Sequence, residues 1–154
     1  LPRSAGQPEP LNKRQNPRGQ LLTQPLTGRT ILVIDNDKDI LLGMQSLLGG
    51  WGANVLTGTD LEDAKQAIKT QPAVQVALID YHLDDGALGV DIIAVLRALR
   101  GDLHYALITA DRSEEMKQQA KELGATVLNK PLKPAALRSW LTQKLRGKPL
   151  PPSA

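Results

Sequence analysis

Cysteine and phenylalanine are both absent from this sequence of 154 residues, and aromatic residues make up only 3% of it. The lack of cysteine excludes a disulfide framework, a thiolate metal site and a cysteine nucleophile. The scarcity of aromatic side chains argues against a single-strand nucleic-acid binder, because such proteins stack bases on aromatic rings. No apolar run approaches the roughly 18–20 residues of a membrane span, and the N-terminal segment lacks the apolar centre of a secretory signal. These absences predict a soluble, cytoplasmic module without direct nucleic-acid or membrane contact.

Acidic residues are nearly missing from the N-terminal segment. Residues 1–29 have five basic residues against the single acid Glu9, a net charge of +4, while the other 125 residues have 14 basic and 15 acidic residues. The same segment has five prolines and few large apolar residues, so it cannot bury enough surface to offset the entropy of ordering. We therefore predict a disordered basic linker over residues 1–28, one folded domain over residues 29–146 and a disordered, proline-rich tail over residues 147–154.

The hydrophobic pattern of the predicted domain alternates between two periods. Short apolar runs are typical of strands buried on both faces, and the spacings of three and four between them predict amphipathic helices. The five predicted strands are Ile31–Ile34, Ala53–Thr57, Val74–Ile79, Ala106–Ile108 and Ala125–Leu128. Five strands alternating with five helices predict an α/β fold, an open parallel sheet with helices on both faces.

Helix boundaries are marked by residues that favour caps. Asp60, Ser113 and Pro134 are predicted at helix starts, and Gly124 just beyond a helix end. By the same reasoning Gly49 and Gly50 are predicted to follow the end of the first helix. The predicted apolar face of that helix includes Ile40 and Met44, and the face of the third helix includes Ile92 and Leu99.

Polar side chains follow four of the five predicted strands at one edge of the sheet. Asp35-Asn36-Asp37 follows the first strand, Asp80 the third, Thr109 the fourth and Lys130 the fifth. Parallel sheets of this kind bind ligands outside the carboxyl ends of their strands. Two close carboxylates repel unless a cation lies between them, and oxygen ligands suit Mg²⁺. A carboxylate beside a metal, an ammonium and a hydroxyl can attack phosphorus, so the pattern predicts a phosphoryl-accepting site.

The acids after the first strand also have an alternative interpretation. Either Asp37 or Asp39 could be the N-cap of the first helix, because aspartate is a favoured cap residue.

At these residues the sequence resembles the receiver domains of two-component signalling over about residues 29–146. The matching motifs are Ile-Leu-Val-Ile-Asp35-Asn36-Asp37, Ala-Leu-Ile-Asp80, Leu-Ile-Thr109-Ala110 and Leu-Asn-Lys130-Pro131. The resemblance implies a flavodoxin-like (CheY-like) fold with five parallel strands in the order 2-1-3-4-5. It also implies a module whose own activity is limited to self-phosphorylation and autodephosphorylation.

The resemblance implies a role for each site residue. Asp80 is the phosphoacceptor, which takes its phosphoryl group from a phosphohistidine, and Thr109 and Lys130 contact the phosphoryl oxygens. Asp35, Asn36 and Asp80 hold Mg²⁺ with the backbone carbonyl of His82, whose imidazole is expected to be exposed on a loop. The Lys130–Pro131 bond is expected to be cis, since cis bonds are mostly a property of proline.

Three departures from the family pattern affect these expectations. Asn36 replaces the usual acid, which lowers the expected Mg²⁺ affinity unless Asp37 turns inward to compensate. The loop after Asp80 reads Tyr81-His82-Leu83-Asp84-Asp85-Gly86, which places extra negative charge near the metal site. Val127 stands where the family often has a switching aromatic residue, so we expect coupling from Thr109 to the output face to be muted or to use another group.

The order of segments predicts the parent protein and its partners. A linker precedes the predicted receiver and only eight residues follow Arg146, which fits the C-terminal receiver of a bacterial hybrid sensor histidine kinase. The kinase would tether the cytoplasmic domain to a membrane sensor. The expected partners are a histidine kinase core or a histidine phosphotransfer protein, with a weak homodimer as a further expectation.

Two alternative functions are open. A degenerate receiver that acts only as a protein-interaction module is motivated by Asn36 and Val127. A haloacid dehalogenase-like phosphohydrolase would use Asp35-x-Asp37 with a later threonine and lysine. That class also needs an acidic pair after the lysine, and no Asp or Glu follows Glu122.

Overall fold

The computed structural model describes residues 24–83 and 86–146, over which strands and helices alternate in the predicted order. The strands are β1 (Thr30–Ile34), β2 (Asn54–Gly58), β3 (Val74–Asp80), β4 (His104–Thr109) and β5 (Thr126–Asn129). The helices are α1 (Lys38–Gly50), α2 (Leu61–Thr70), α3 (Gly89–Leu99), α4 (Glu114–Leu123) and α5 (Pro134–Leu145). All neighbouring strands pair in parallel in the order β2-β1-β3-β4-β5, which confirms the predicted sheet.

Two hydrophobic cores cover the two faces of the sheet. One core joins the sheet to α2, α3 and α4, and the other joins it to α1 and α5. Every residue of β1 and of β3 is buried, as expected for central strands that have helices on both sides. The strand order reverses between β1 and β3, so the polar residues that end these two strands lie at the switch point of the sheet.

The helix caps agree with most of the sequence predictions. Asp60 and Ser113 are N-caps whose side chains accept hydrogen bonds from the backbone N–H groups of Asp63 and Met116. Pro134 begins α5. Gly124 ends α4 with φ of 71°, a left-handed conformation that glycine adopts without a steric penalty.

Three predicted helix details were wrong. Gly49 and Gly50 lie within the last turn of α1, and Trp51 is its C-cap. In α1, Met44 is buried as predicted, together with Leu41 and Leu48, but Ile40 of the predicted face is exposed. Leu99 is also exposed, because it lies at the last position of α3, where the helix leaves the core.

The described chain begins before the predicted domain boundary at residue 29. Residues 25–28 form a turn in which Leu26 is buried and donates its backbone N–H to Trp51 O over 2.9 Å. Arg29 Nη2 donates to Leu145 O at the end of α5, over 3.3 Å. The rest of the predicted linker and the predicted tail lie outside the described residues.

Within residues 24–83 and 86–146, no helix is both long and apolar enough to cross a bilayer.

Candidate functional site

The ends of β3 and β5 bring a carboxylate and an ammonium into contact. Lys130 Nζ lies 2.8 Å from Asp80 Oδ1. The Asp80 side chain is only 7% exposed, whereas that of Lys130 is 35% exposed, so the pair is open to solvent from the lysine side. The peptide bond between Lys130 and Pro131 is cis, as predicted. A hydrogen bond between two charged groups is shorter and stronger than one between neutral groups.

Asp35, at the end of β1, supplies a second buried carboxylate. Its residue is 5% exposed, and its Oδ1 accepts a hydrogen bond from the backbone N–H of Asp37 over 2.9 Å. Burial is the largest effect and raises the pKa of Asp35. The negative charge of Asp80 raises this pKa further, against the opposing effects of the Asp37 N–H and of Lys130. The two acids therefore share one site and repel each other.

Lys130 responds to the same charges. Burial lowers the pKa of Lys130, but the hydrogen bond that it donates to Asp80 and the charges of Asp80 and Asp35 outweigh burial, so the net shift is upward. The ammonium therefore stays protonated across the physiological range. Among the described residues at this site, one ammonium then faces two buried carboxylates, Asp80 and Asp35, which leaves an excess of negative charge.

Thr109 ends β4 beside this pair and is 1% exposed. Its Oγ1 accepts a hydrogen bond from the backbone N–H of Asp111 over 2.8 Å, and its backbone carbonyl accepts one from Lys130 N, also over 2.8 Å. Asp111 Oδ1 in turn accepts the backbone N–H of Ser113 over 2.7 Å, and this bond lowers the pKa of Asp111. The loop after β4 is thus ordered by its own side chains, with Thr109 at its base.

The other predicted site residues are exposed. Asn36 lies directly beyond β1. Asp37 is the N-cap of α1, and its Oδ1 accepts the backbone N–H of Asp39 over 2.9 Å. The two alternatives for the helix cap are thereby decided in favour of Asp37. This cap argues against the inward turn that would compensate for Asn36.

His82 is exposed two residues beyond Asp80, as predicted for its imidazole. Its ring packs edge-on against the Tyr81 ring, with centroids 4.6 Å apart. Its backbone pairs with Leu88 in an isolated antiparallel bridge, which returns the chain towards α3. The predicted acidic residues of this loop, Asp84 and Asp85, lie outside the described residues.

The donor set at the strand ends fits a single hard cation. Asp35 and Asp80 are two carboxylates whose mutual repulsion a cation would relieve, and Mg²⁺ commonly takes one or two carboxylates while keeping several waters. Within the ranges that the structure describes, no three His, Cys, Asp or Glu side chains group closely enough to hold a metal among them. The residues therefore suit a hydrated Mg²⁺ better than a metal in an all-protein cage.

Two residues at the site were missed or left without a role by the sequence reasoning. A Cβ at Gly89, the first residue of α3, would clash with the backbone carbonyl oxygen of Asp80 and would lie 2.9 Å from Leu107 Cδ1. The signal was a glycine at a helix start directly after the site loop. Asn129 precedes Lys130, and its Nδ2 is buried.

An apolar cavity of about 310 Å³ opens beside the ion pair. The cavity is lined by Ile40 and Met44 of α1 and by Leu132, and also by Asp35 and Lys130 of the charged site. The exposed Ile40 that the helix pattern had assigned to the core therefore faces this cavity. An apolar recess next to a charged site suits the docking of a protein surface with an apolar residue near its reacting group.

Comparisons with known proteins agree with this geometry. The family model of the response regulator receiver domain matches residues 31–142. The photosynthetic apparatus regulatory protein RegA of Cereibacter sphaeroides is 27% identical over 125 residues, which cover 80% of this chain and 67% of that protein. A CheY-like receiver domain protein from Methanospirillum hungatei superposes with a TM-score of 0.72 at 24% identity, covering 77% of this chain and 94% of that chain. Vibrio cholerae chemotaxis protein CheY4 superposes with a TM-score of 0.69 at 26% identity, covering 76% and 98%.

Proposed function

This chain belongs to the response regulator receiver domain family of two-component signalling, and on that premise we propose that Asp80 accepts a phosphoryl group from a phosphohistidine. The observation that carries the proposal is the contact of Lys130 with the buried Asp80 carboxylate, between the ends of β1 and β4. Asp35 and Thr109 complete a site with two carboxylates, one ammonium and one hydroxyl. That combination matches the charge distribution of a transferring phosphoryl group.

In the proposed reaction an Asp80 carboxylate oxygen attacks phosphorus. A phosphorus–oxygen bond forms as the phosphorus–nitrogen bond of the donor breaks, and the imidazole leaves with the electron pair. Lys130 is protonated and offsets negative charge on the phosphoryl oxygens, while Thr109 has a hydroxyl proton to donate to one of them. Asp35, Asn36, Asp80 and the His82 carbonyl would hold Mg²⁺, which when bound supplies further positive charge for those oxygens.

The phosphodonor would dock over the strand ends. We propose that an apolar side chain of a histidine kinase core or histidine phosphotransfer protein enters the cavity next to Lys130, against Ile40 and Leu132. Burial of Ile40, which is 39% exposed, would contribute to the affinity of that complex. We propose a hybrid sensor histidine kinase as the parent protein, because the Asp35-Asn36-Asp37 motif resembles that of the receivers in such kinases. Immunoblotting of the source cells with an antibody to this domain should then detect a product far larger than 16.7 kDa.

The phosphoacceptor role is tested by mass spectrometry. The chain is incubated with a small phosphodonor such as acetyl phosphate in the presence of Mg²⁺. We expect an acid-labile mass gain of one phosphoryl group, which Asp80→Asn abolishes. Asp102→Asn is the matched control, because Asp102 lies at the opposite end of the sheet and pairs with Arg100. It should be labelled like the wild type.

The alternatives predict different results in the same experiment. No gain in the wild type, with a folded domain, would favour a degenerate receiver that only binds other proteins. Release of inorganic phosphate over many turnovers, if it required Asp35 as the nucleophile, would favour the phosphohydrolase. A gain that persists in Asp80→Asn would contradict the assignment of Asp80.

A further inference from the structure

Asn129, the last residue of β5, has a buried side-chain donor without an acceptor. Its Nδ2 is inaccessible to solvent and makes no hydrogen bond within the described part of the chain. Such a donor costs folding free energy, because it loses its water without gaining a partner. Native proteins keep few such groups, and a partner gained in another functional state is one physical reason to keep one.

The sheet places Asn129 next to Thr109. In the parallel pairing of β4 with β5, Leu107 lies opposite Val127, Ile108 opposite Leu128, and Thr109 opposite Asn129. Leu107 and Val127 pack in one hydrophobic core, whereas Ile108 and Leu128 pack in the other.

Because side chains alternate along a strand, Thr109 and Asn129 project to the same face as Leu107 and Val127. Neighbouring strands lie about 4.8 Å apart, so the side chains of paired residues on one face are direct neighbours. The Asn129 amide therefore lies on the same face of the sheet as the Thr109 hydroxyl, directly across the β4–β5 pair.

The Thr109 hydroxyl has unused hydrogen-bonding capacity. A hydroxyl group has one proton to donate and two lone pairs that accept. One lone pair of Thr109 Oγ1 accepts the backbone N–H of Asp111. A second lone pair and the proton remain for two further partners.

We infer that Asn129 is a positioning residue for the phosphorylated state. When Asp80 carries a phosphoryl group, the Thr109 hydroxyl donates its proton to a phosphoryl oxygen, and Asn129 Nδ2 donates to the second lone pair of Thr109 Oγ1. Each bond strengthens the other, since a hydroxyl that donates becomes a better acceptor. This inference rests on the proposed function of Asp80. It gives β5 a polar contact with Thr109 two residues from Val127, where the family resemblance expects an aromatic residue.

The inference is tested by the affinity of the 154-residue chain for beryllofluoride with Mg²⁺, as a stable substitute for the phosphoryl group. Asn129→Leu removes the donor at similar size, and Asn129→Asp replaces it with an acceptor. Each should weaken binding about two- to tenfold, the range expected for one neutral hydrogen bond. Asn129→Ser, which keeps a donor, should recover part of the loss. Asn54→Leu, the same change on the exposed part of β2, should have no effect.

A double-mutant cycle separates this role from general packing. In a Thr109→Val background, Asn129→Leu should have no further effect on beryllofluoride affinity, because the acceptor is already gone. Without beryllofluoride, Asn129→Leu should leave the free energy of unfolding unchanged or raised, since it removes an unsatisfied donor. The Asn129 side-chain amide resonances should shift on beryllofluoride addition in the wild type but not in Thr109→Val.

Three results would overturn the inference. In the first, Asn129→Leu binds beryllofluoride as tightly as the wild type does, and the wild type accepts a phosphoryl group. This result would exclude a role for Asn129 but would leave the assignment of Asp80 intact. Strong destabilisation of the free protein by Asn129→Leu would mark a structural role. A wild type that binds no beryllofluoride and accepts no phosphoryl group would overturn the proposed function and this inference together.

Discussion

At the residue scale, ionisation of the Asp35 carboxyl destabilises the folded protein. Burial, and then the charge of Asp80, raise the pKa of Asp35 above its usual 3.8, so the folded protein binds a proton there more tightly than the unfolded chain does. Stability from this group therefore falls as the pH rises from 3.8 through the folded pKa. Asp35→Asn keeps the oxygen that accepts the Asp37 N–H but removes the charge. We expect it to raise the free energy of unfolding at neutral pH without divalent cations.

Urea unfolding in EDTA measures this effect. The advantage of Asp35→Asn should shrink as the pH is lowered through the folded pKa and disappear below 3.8, where the wild-type carboxyl becomes protonated in both states. Added Mg²⁺ should reverse the order, because it stabilises the wild type by binding to the folded state. Asp39→Asn is the matched control, since Asp39 is exposed in the first turn of α1. A lower stability of Asp35→Asn at neutral pH would contradict the predicted sign.

Asn36 is a neutral residue next to the proposed Mg²⁺ site, at a position where the family pattern has an acid. Asn36→Asp adds a carboxylate directly beyond β1, and Asp37 is engaged as the cap of α1. An added charge close to a divalent ion in water contributes about 1–2 kcal/mol, so Mg²⁺ should bind about tenfold more tightly. Calorimetric or fluorescence titration measures this affinity. Asn54→Asp makes the same change at the start of β2 and should leave it unaltered. Unchanged affinity of Asn36→Asp would indicate that Asp37 already serves the metal.

At the element scale, the start of α3 packs against the backbone of Asp80 and Tyr81. Gly89 N–H donates to Tyr81 O over 2.7 Å, and the glycine leaves no room for a Cβ between α3 and the Asp80 carbonyl. Gly89→Ala must displace either the helix or the strand end. We expect it to lower the free energy of unfolding by about 1–3 kcal/mol, as overpacking does, and to slow phosphorylation of Asp80 by moving its backbone.

Gly49→Ala is the comparison for this prediction. Gly49 lies in the last turn of α1, and the space that a Cβ would occupy there is open, so alanine fits without a clash. It should raise the free energy of unfolding by about 0.5–1 kcal/mol through lower backbone entropy of the unfolded chain. Denaturant unfolding and the rate of labelling by a small phosphodonor measure both variants. If Gly89→Ala behaved like Gly49→Ala, the contact of α3 with Asp80 would have no energetic importance.

At the scale of the whole molecule, both ends of the described chain lie at the end of the sheet opposite Asp80. Leu26 is 1% exposed against Trp51, and Arg29 reaches Leu145 at the end of α5. Leu26→Ala should lower the free energy of unfolding by about 2–4 kcal/mol through lost burial and the cavity that remains. Phosphorylation of Asp80 should be unaffected while the protein stays folded, because the change is at the far end of the sheet.

Thr27→Ala serves as the control for Leu26. Thr27 is exposed next to Leu26, and substitutions at such surface sites usually change stability by at most about 0.5 kcal/mol. Chemical denaturation followed by circular dichroism compares the two variants. If Leu26→Ala lowered the free energy of unfolding as little as Thr27→Ala does, the predicted domain boundary at residue 29 would be supported. If it lowered the free energy of unfolding by the expected amount of about 2–4 kcal/mol, the folded domain would begin before Leu26.

The sequence alone determined the order of strands and helices and the edge of the sheet that carries the site. It could do so because buried parallel strands need continuous apolar runs, whereas the helices that cover them need a period near 3.6. Asp35, Asp80, Thr109 and Lys130 were found from their positions directly after such runs. Lys130 and Asp80, which are distant in sequence, are in direct contact in the fold.

Only the tertiary structure decided how side chains at the margins are used. Ile40 and Leu41 are equally apolar in sequence, and the angle at which α1 packs on the sheet exposes the first and buries the second. Asp37 could serve as ligand or cap until the start of α1 at Lys38 made it the cap. The closeness of Gly89 to the Asp80 carbonyl and the register of Asn129 with Thr109 depend on contacts between elements distant in sequence. A pattern along one chain determines which elements form, but distances across them arise only when those elements pack together.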